Sequence, residues 1–230
     1  MIEINFDNVS YEDRVRKANC VIEPGLNTVI GPSGSGKSTM ALLTLGLINP
    51  TAGIVKHYKD NQIVQEFSSV DKKNKFFRTD TPQNKKLKKY IADNIGFISQ
   101  NPYLLSDVNL SARETIIKLK QAQGYNVNED KVVELADSLS ISANSLDRSY
   151  KKLSGGEKQR ISIIFALSQD PNLIIADEPT ASVDPENKKR VFDLFKTYAE
   201  IGRTVLLITH DEHVLNYRCK IIEAKNGIIG

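Results

Sequence analysis

The 230-residue sequence contains no tryptophan, two methionines and two cysteines. Cys20 and Cys219 are far apart and lack CxxC spacing, which excludes a disulfide framework and fits reduced, structural thiols. No apolar run approaches the roughly 20 residues needed to span a bilayer. The longest, Met40 to Ile48, is interrupted by Thr44 and Gly46 and stopped by Asn49-Pro50. There is no internal repeat and no low-complexity linker, which excludes solenoids and fibrous chains. Neither charge sign dominates: 31 Lys and Arg stand against 28 Asp and Glu, and a net +3 is too small a surplus to indicate nucleic-acid binding by itself. What is present, 40% hydrophobic and 26% charged residues, belongs to a folded chain long enough for one sizeable core. Met1-Ile2-Glu3-Ile4-Asn5-Phe6-Asp7 has acid before any base and no apolar block, unlike a secretory signal, so the expected compartment is the cytoplasm.

The charge is unevenly placed. Residues 71 to 90 hold eight bases and two acids, a local +6, so the other residues sum to −3. Beside this stretch, Gly53–Tyr58 and Gln62–Phe67 read as short strands flanked by turn residues, an antiparallel excursion. Elsewhere strand is followed by helix. Leu26–Ile30, Leu173–Ala176 and Val205–Ile208 are apolar runs suited to a buried parallel sheet. Asp184-Pro185-Glu186 opens a helix with an N-cap, a proline at its first position and an early acid, and its predicted buried stripe is Val191, Leu194, Phe195 and Tyr198. Ala112–Gln123 and Glu129–Leu139 read as two further helices, and Asn226-Gly227 between apolar pairs predicts a final hairpin. The expected fold class is α/β: a parallel-sheet core with an antiparallel β region and an inserted helical region.

Gly31-Pro32-Ser33-Gly34-Ser35-Gly36-Lys37-Ser38 matches Gly-x-x-x-x-Gly-Lys-(Ser/Thr), directly after the strand Thr28-Val29-Ile30 and before an apolar helix. Such a loop aims backbone amides and a helix N-terminus at one point, where phosphate charge is favoured. Lys37 would reach the β and γ phosphates and Ser38 would hold Mg2+. A second element, Leu173 to Pro179, places Asp177 and Glu178 at the end of an apolar strand, beside the phosphate loop in a parallel sheet. In an extended chain the two carboxylates face opposite ways. Asp177 would then address the metal and Glu178 the attacking water, as general base or water-orienting group.

Leu153-Ser154-Gly155-Gly156-Glu157 opens a further helix with Ser154 as N-cap, and its buried face is expected at Ile161, Ile164, Phe165 and Leu167. From the residues alone this is either a plain cap or a second anion site.

Taken together, Gly31 to Ser38, Leu153 to Glu157, Leu173 to Glu178, the Ser182-Val183-Asp184 turn and the His210 that follows Val205 to Thr209 resemble, in order and over nearly the whole chain, the nucleotide-binding cassette of ATP-binding cassette (ABC) transporters. The resemblance implies a single P-loop NTPase domain over 1–230. Its RecA-like core and antiparallel region take in 1–99 and 153–230, with a basic insertion at about 59–92, and its helical subdomain covers about 101–152. It implies an Mg2+-dependent ATPase that dimerises head to tail, as a homodimer or with a similar subunit. ATP would lie between the phosphate loop, Gly31 to Thr39, of one copy and Ser154, Gly155 and Gly156 of the other, with Asp184 communicating across. By the same resemblance Gln100 touches Mg2+ or the water, His210 is the switch histidine at the γ-phosphate, and Tyr11 stacks on adenine.

Lys37 to Gln100 spans 63 positions, longer than is usual for the family, and the excess coincides with the basic segment. That segment reads as an insertion in the β region: a solvated hairpin, a contact for anionic lipid headgroups, or a contact for an acidic partner. Phe76, Phe77 and Tyr90 do not alternate with the bases as a nucleic-acid stacking platform would, so no specific nucleic acid is expected. Asn101-Pro102-Tyr103-Leu104-Leu105 and Ala176 to Thr180 are similar to the branch of lipoprotein-release and macrolide-efflux ATPases. Asp147 to Lys152 lacks the Thr-Glu-Val-Gly-Glu-like stretch of fused exporters. A peripheral ATPase subunit on the cytoplasmic face, paired with separate integral membrane transporter subunits, is the expected function. The alternatives are a mechanotransmission ATPase like that of cell division, or a soluble ABC ATPase.

Overall fold

The computed structural model describes residues 1–69, 82–101 and 110–230, with the side chains of 82–84 and 212 outside that description. Two sheets organise the chain. The first is antiparallel, in the order β2-β1-β4-β5, built from β1 (Ile2–Tyr11), β2 (Val15–Ile22), β4 (Ala52–Lys59) and β5 (Gln62–Ser68). The excursion expected from residues 53 to 67 is therefore half of a sheet that the chain's first 22 residues complete. The second has the order β10-β9-β3-β8-β7-β6, from β3 (Gly25–Ile30), β6 (Ile95–Ile98), β7 (Leu173–Asp177), β8 (Thr204–Ile208), β9 (Lys220–Lys225) and β10 (Ile228–Ile229). All its pairings are parallel except the terminal β9–β10 hairpin, which turns at Asn226-Gly227.

The central strands are apolar at every position because both faces are covered. Ile174, Ala176, Val205 and Leu207 face one core, with α3 (Ala112–Ala122), α4 (Glu129–Ser138), α6 (Gly155–Leu167) and α7 (Pro185–Glu200). Leu173, Ile175, Leu206 and Ile208 face the other, with α1 (Lys37–Thr44) and the antiparallel sheet. A short α5 (Ala143–Asp147) completes the helical region between β6 and α6. Helix α6 is buried nearly all round, at Ile161, Ile163, Ile164, Ala166 and Leu167, while Phe165, expected in the buried face, is half-buried. In α7 the buried row is Val191, Phe192, Phe195 and Tyr198, and Leu194 only packs against its edge.

The basic segment departs from the expected hairpin. Its described part is a helix, α2 (Pro82–Asn94). Leu87, Tyr90, Ile91 and Asn94 recur at helical spacing on the less exposed face, and Lys85, Lys86, Lys88 and Lys89 share the exposed one. Tyr90 anchors the helix: its hydroxyl lies 3.0 Å from Nδ1 of His57, an imidazole fully buried on β4. Burial pushes the His57 pKa down to about 4, against a smaller opposing effect of the Thr44 carbonyl at the end of α1. The bases at 72 to 78, and Pro102 to Leu105 of the branch motif, lie outside the described residues.

Candidate active site at the strand ends

The parallel register aligns three strand ends in one row: Val29 pairs with Ile208 and Ile208 with Asp177. Ile98 pairs with Ala176 one step earlier, so the turn to Gln100 opens on the same edge. In an open α/β sheet this carboxyl edge is where ligands sit. Strand β8 lies between β7 and β3, and Asp177 meets the phosphate loop through its side chain, hydrogen-bonded with Ser38.

That loop, Gly31 to Gly36, ends in α1, whose N-cap is Gly36 at φ +99° with no capping side chain. The first amides of α1 are therefore left for an anion. A Cβ on Gly36 would stand 2.4 Å from the Arg14 carbonyl oxygen, so the turn accepts only glycine. The Lys37 ammonium is folded back, donating to the carbonyls of Gly31 (2.7 Å) and Pro32 (2.8 Å). Ser35 is buried and Ser33 exposed. A hollow of about 270 Å³ over the loop is lined by Arg14, Gly34, Gly36, Lys37, Ser38 and Thr39. Tyr11, half-buried at the end of β1, is not among its lining residues. Arg14, which is, went unnoticed in the sequence, where its only signal is a cation in the turn after Tyr11.

Asp177 is nearly buried and one of its carboxylate oxygens, Oδ1, has no partner. Burial raises its pKa, the hydrogen bond with Ser38 and the charge of Lys37 oppose this, and Glu178 adds to it. A buried carboxylate with a spare oxygen beside a serine hydroxyl fits a hard cation completed by phosphate and water. No group of three or more His, Cys, Asp or Glu side chains among the described residues forms a fuller metal cage.

Glu178 does not continue the strand. Its φ is +48° and its N–H donates to Ile208 O at 2.8 Å, so the opposite-faces argument for an extended pair does not describe it. The turn instead directs the carboxylate to the end of β8. Oε1 stands 2.8 Å from Nδ1 of His210, and Oε2 accepts from the Thr209 hydroxyl (3.2 Å) and the His210 N–H (3.4 Å). The Glu178 side chain is 12% exposed and the His210 ring 73%. Gln100 is exposed on the same edge, and Gln159 of α6 ties that segment down by donating to Ser99 O at 3.2 Å.

Ser154 caps α6 with a full capping box: its hydroxyl accepts the Glu157 N–H (3.2 Å) and Glu157 accepts the Ser154 N–H (2.9 Å). Arg148 and Ser145 hold the other Glu157 oxygen. Gly156 packs on the Asp184 turn, where a Cβ would lie 2.9 Å from Ser182 O. Asp184 caps α7 through Asn187 N at 3.1 Å and lies 3.4 Å from the Arg160 guanidinium. Ser154, Gly155 and Gly156 line neither the phosphate-loop hollow nor the cleft at Glu178.

The chain thus brings together Lys37, Ser38, Asp177, Glu178 and His210 at one sheet edge, and leaves the Ser154 amides apart from them. The family model described as ABC transporter matches residues 15–181. The putative hemin import ATP-binding protein HrtA of Staphylococcus haemolyticus is 34% identical, over 86% of this chain and 82% of that one. The lipoprotein-releasing system ATP-binding protein LolD of Aquifex aeolicus is 32% identical over 87% and 81%. The macrolide export ATP-binding/permease protein MacB of a Shewanella strain is 29% identical over 94% of this chain, which spans only 31% of that longer protein. The dimeric post-hydrolysis structure of the ATP-binding cassette MJ0796 with ADP and Pi superposes with a TM-score of 0.78, at 28% identity, covering 98% of this chain and 96% of that one. The chain therefore belongs to the ABC transporter family, as one of its ATP-binding and ATP-hydrolysing cassettes.

Proposed function

We propose that the chain is the motor subunit of a transporter, closing head to tail on ATP with a second copy or a similar subunit and moving separate integral membrane subunits from the cytoplasmic face. The observation that carries this reading is the split site: a hydrolytic centre at the sheet edge and a capped amide site at Ser154 that lines neither pocket there. Each half completes the other only across two chains. The dimeric MJ0796 cassette and the permease-bearing MacB support it. No helix among the described residues is long and apolar enough to cross a membrane.

In this reading Lys37 and the α1 amides bind the β and γ phosphates. Tyr11 stacks on adenine, and Ser154, Gly155 and Gly156 close over the γ-phosphate from the partner, with Asp184 reporting across the interface. Ser38, Asp177 and Gln100 would hold Mg2+, which when bound neutralises charge on the phosphate oxygens. Glu178 accepts a proton from the water as its oxygen bonds to the γ-phosphorus and the bond to the β-phosphate oxygen breaks, giving ADP and phosphate. His210 holds Glu178 through one ring nitrogen, leaving the other for phosphate. The cassette divides into 1–99 with 153–230, and a helical part at about 101–152. The lysine face of α2, a helix within the insertion, would meet anionic headgroups.

Pull-down of tagged Glu178→Gln protein from membranes in mild detergent with ATP and Mg2+ tests this. Stoichiometric polytopic proteins are the expected companions. Recovery with ribosomes or nucleic acid alone would replace the transporter reading with a soluble one.

A further inference from the structure

We propose that Lys188 and Asp211 are positioning residues for hydrolysis: their ion pair fixes the Thr209–Asp211 turn to α7 and so sets where Glu178 and His210 stand. The inference rests on the reading of Glu178 as the group that takes the water's proton. Asp211 is an unusually well-held carboxylate, 8% exposed at its side chain. One oxygen accepts from Lys188 Nζ at 2.9 Å; the other accepts the His213 N–H at 3.1 Å and lies 2.7 Å from His213 Nδ1. Burial alone would raise its pKa, yet these hydrogen bonds bring it down to about 2.

From there the contacts run without a gap to the reacting group. The Asp211 N–H donates to the Thr209 hydroxyl oxygen at 3.0 Å, and that hydroxyl donates to Glu178 Oε2. Thr209 is fully buried, and a hydroxyl with one donor and one acceptor partner there has a single orientation. The neighbouring His210 supplies the two remaining side-chain contacts of Glu178. Two consecutive residues, Thr209 and His210, therefore hold both oxygens of the carboxylate, and Asp211, bonded to the Thr209 hydroxyl, is tied to α7 by Lys188. Lys188 lies one turn into that helix, its N–H bonded to the Asp184 carbonyl at 2.9 Å, so the helix that carries Asp184 also carries the tether. The pair is no remote brace. It forms part of the wall of a cleft of about 360 Å³ that Glu178, Thr180 and His210 also line. Removing the tether frees the turn, and the carboxylate loses orientation and not affinity for nucleotide.

The test uses the full-length protein and its Lys188→Met, Lys188→Arg, Thr209→Val and Glu178→Gln variants, with steady-state hydrolysis of Mg2+-ATP and binding of a fluorescent ATP analogue. Lys188→Met and Thr209→Val are expected to lower kcat by about tenfold with KM and analogue affinity within about twofold, and Lys188→Arg to recover most of the loss. Folded Lys188→Met and Thr209→Val proteins with wild-type kcat would overturn the proposal, even with lowered thermal stability, since a purely structural pair would show only that. If Lys188→Met fails to fold, Thr209→Val and Lys188→Arg decide. Glu178→Gln separates the two readings. Its normal turnover removes the base assignment and the positioning claim with it, whereas a stalled Glu178→Gln beside full-rate tether variants removes the positioning claim alone.

Discussion

Nδ1 of His210 stands 2.8 Å from Oε1 of Glu178, and this contact exists because Glu178 leaves its strand in a left-handed turn at φ +48°. A non-glycine residue there costs on the order of 1 kcal/mol or more. Its N–H bond to Ile208 O and the three side-chain contacts from Thr209 and His210 hold it in place. The strain sits at the residue to which the chemistry is assigned, and Asp177, one position earlier, remains in regular strand facing Ser38.

The Lys37 ammonium rests on the Gly31 and Pro32 carbonyls, within the loop whose amides await phosphate. Lys37→Ala removes a charge-assisted donor and is expected to weaken ATP binding by about 30- to 100-fold, the equivalent of about 2 to 3 kcal/mol. Equilibrium titration with a fluorescent ATP analogue measures it; affinity within about threefold of wild type would contradict the assignment.

Asp177 Oδ1 is buried and unpartnered, with Ser38 hydrogen-bonded to the same carboxylate. Ser38→Ala should therefore raise the Mg2+ concentration for half-maximal hydrolysis by about tenfold or more, and Asp177→Asn should do so further. A Mg2+ titration of the hydrolysis rate reads this directly, and unchanged half-maximal concentrations would remove both residues from the cation site.

The two glycines at the start of α6, Gly155 and Gly156, differ. A methyl on Gly156 would lie 2.9 Å from Ser182 O, whereas one on Gly155 would meet only Ser182 Cβ at 3.9 Å. Gly156→Ala is expected to cost about 1 to 3 kcal/mol and to displace the Asp184 turn, with Gly155→Ala near neutral for folding. Urea denaturation of the two variants compares them; equal stabilities would contradict the packing argument.

Much of this site was legible because its signals are local. The phosphate loop is a contiguous pattern between a strand and a helix, and the short unbroken apolar runs at Leu173 and Val205 suit strands covered on both faces. Helix α2 was misread because lysines fill its sequence. Leu87, Tyr90, Ile91 and Asn94 carry the helical spacing, but the polar bulk around them resembles a solvated loop. The turn at Glu178, the order that inserts β8 between β3 and β7, and the Lys188–Asp211 and Arg160–Asp184 pairs depend on tertiary contacts between distant segments. Nothing in single-sequence periodicity encodes them.

His57 gives a pH dependence. Its pKa falls from an ordinary 6.5 to about 4 on folding, so the native state holds it neutral. Its contribution is fully present above pH 6.5 and is lost as pH falls toward 4, because the unfolded chain takes up the proton first. Between pH 7 and 5 the site should cost about 2 kcal/mol of stability. Urea unfolding at both pH values should show a smaller pH dependence in His57→Leu than in wild type; equal dependence would contradict the buried neutral state.

The central claim is that Glu178 performs the proton chemistry in a site completed by a second chain. The most direct measurement is hydrolysis by Glu178→Gln under single-turnover conditions, with size-exclusion chromatography in ATP and Mg2+. Hydrolysis should be slowed by at least about 100-fold, with ATP binding retained and an ATP-bound dimer accumulating. Turnover at the wild-type rate, or a stalled protein that stays monomeric with ATP bound, would contradict it.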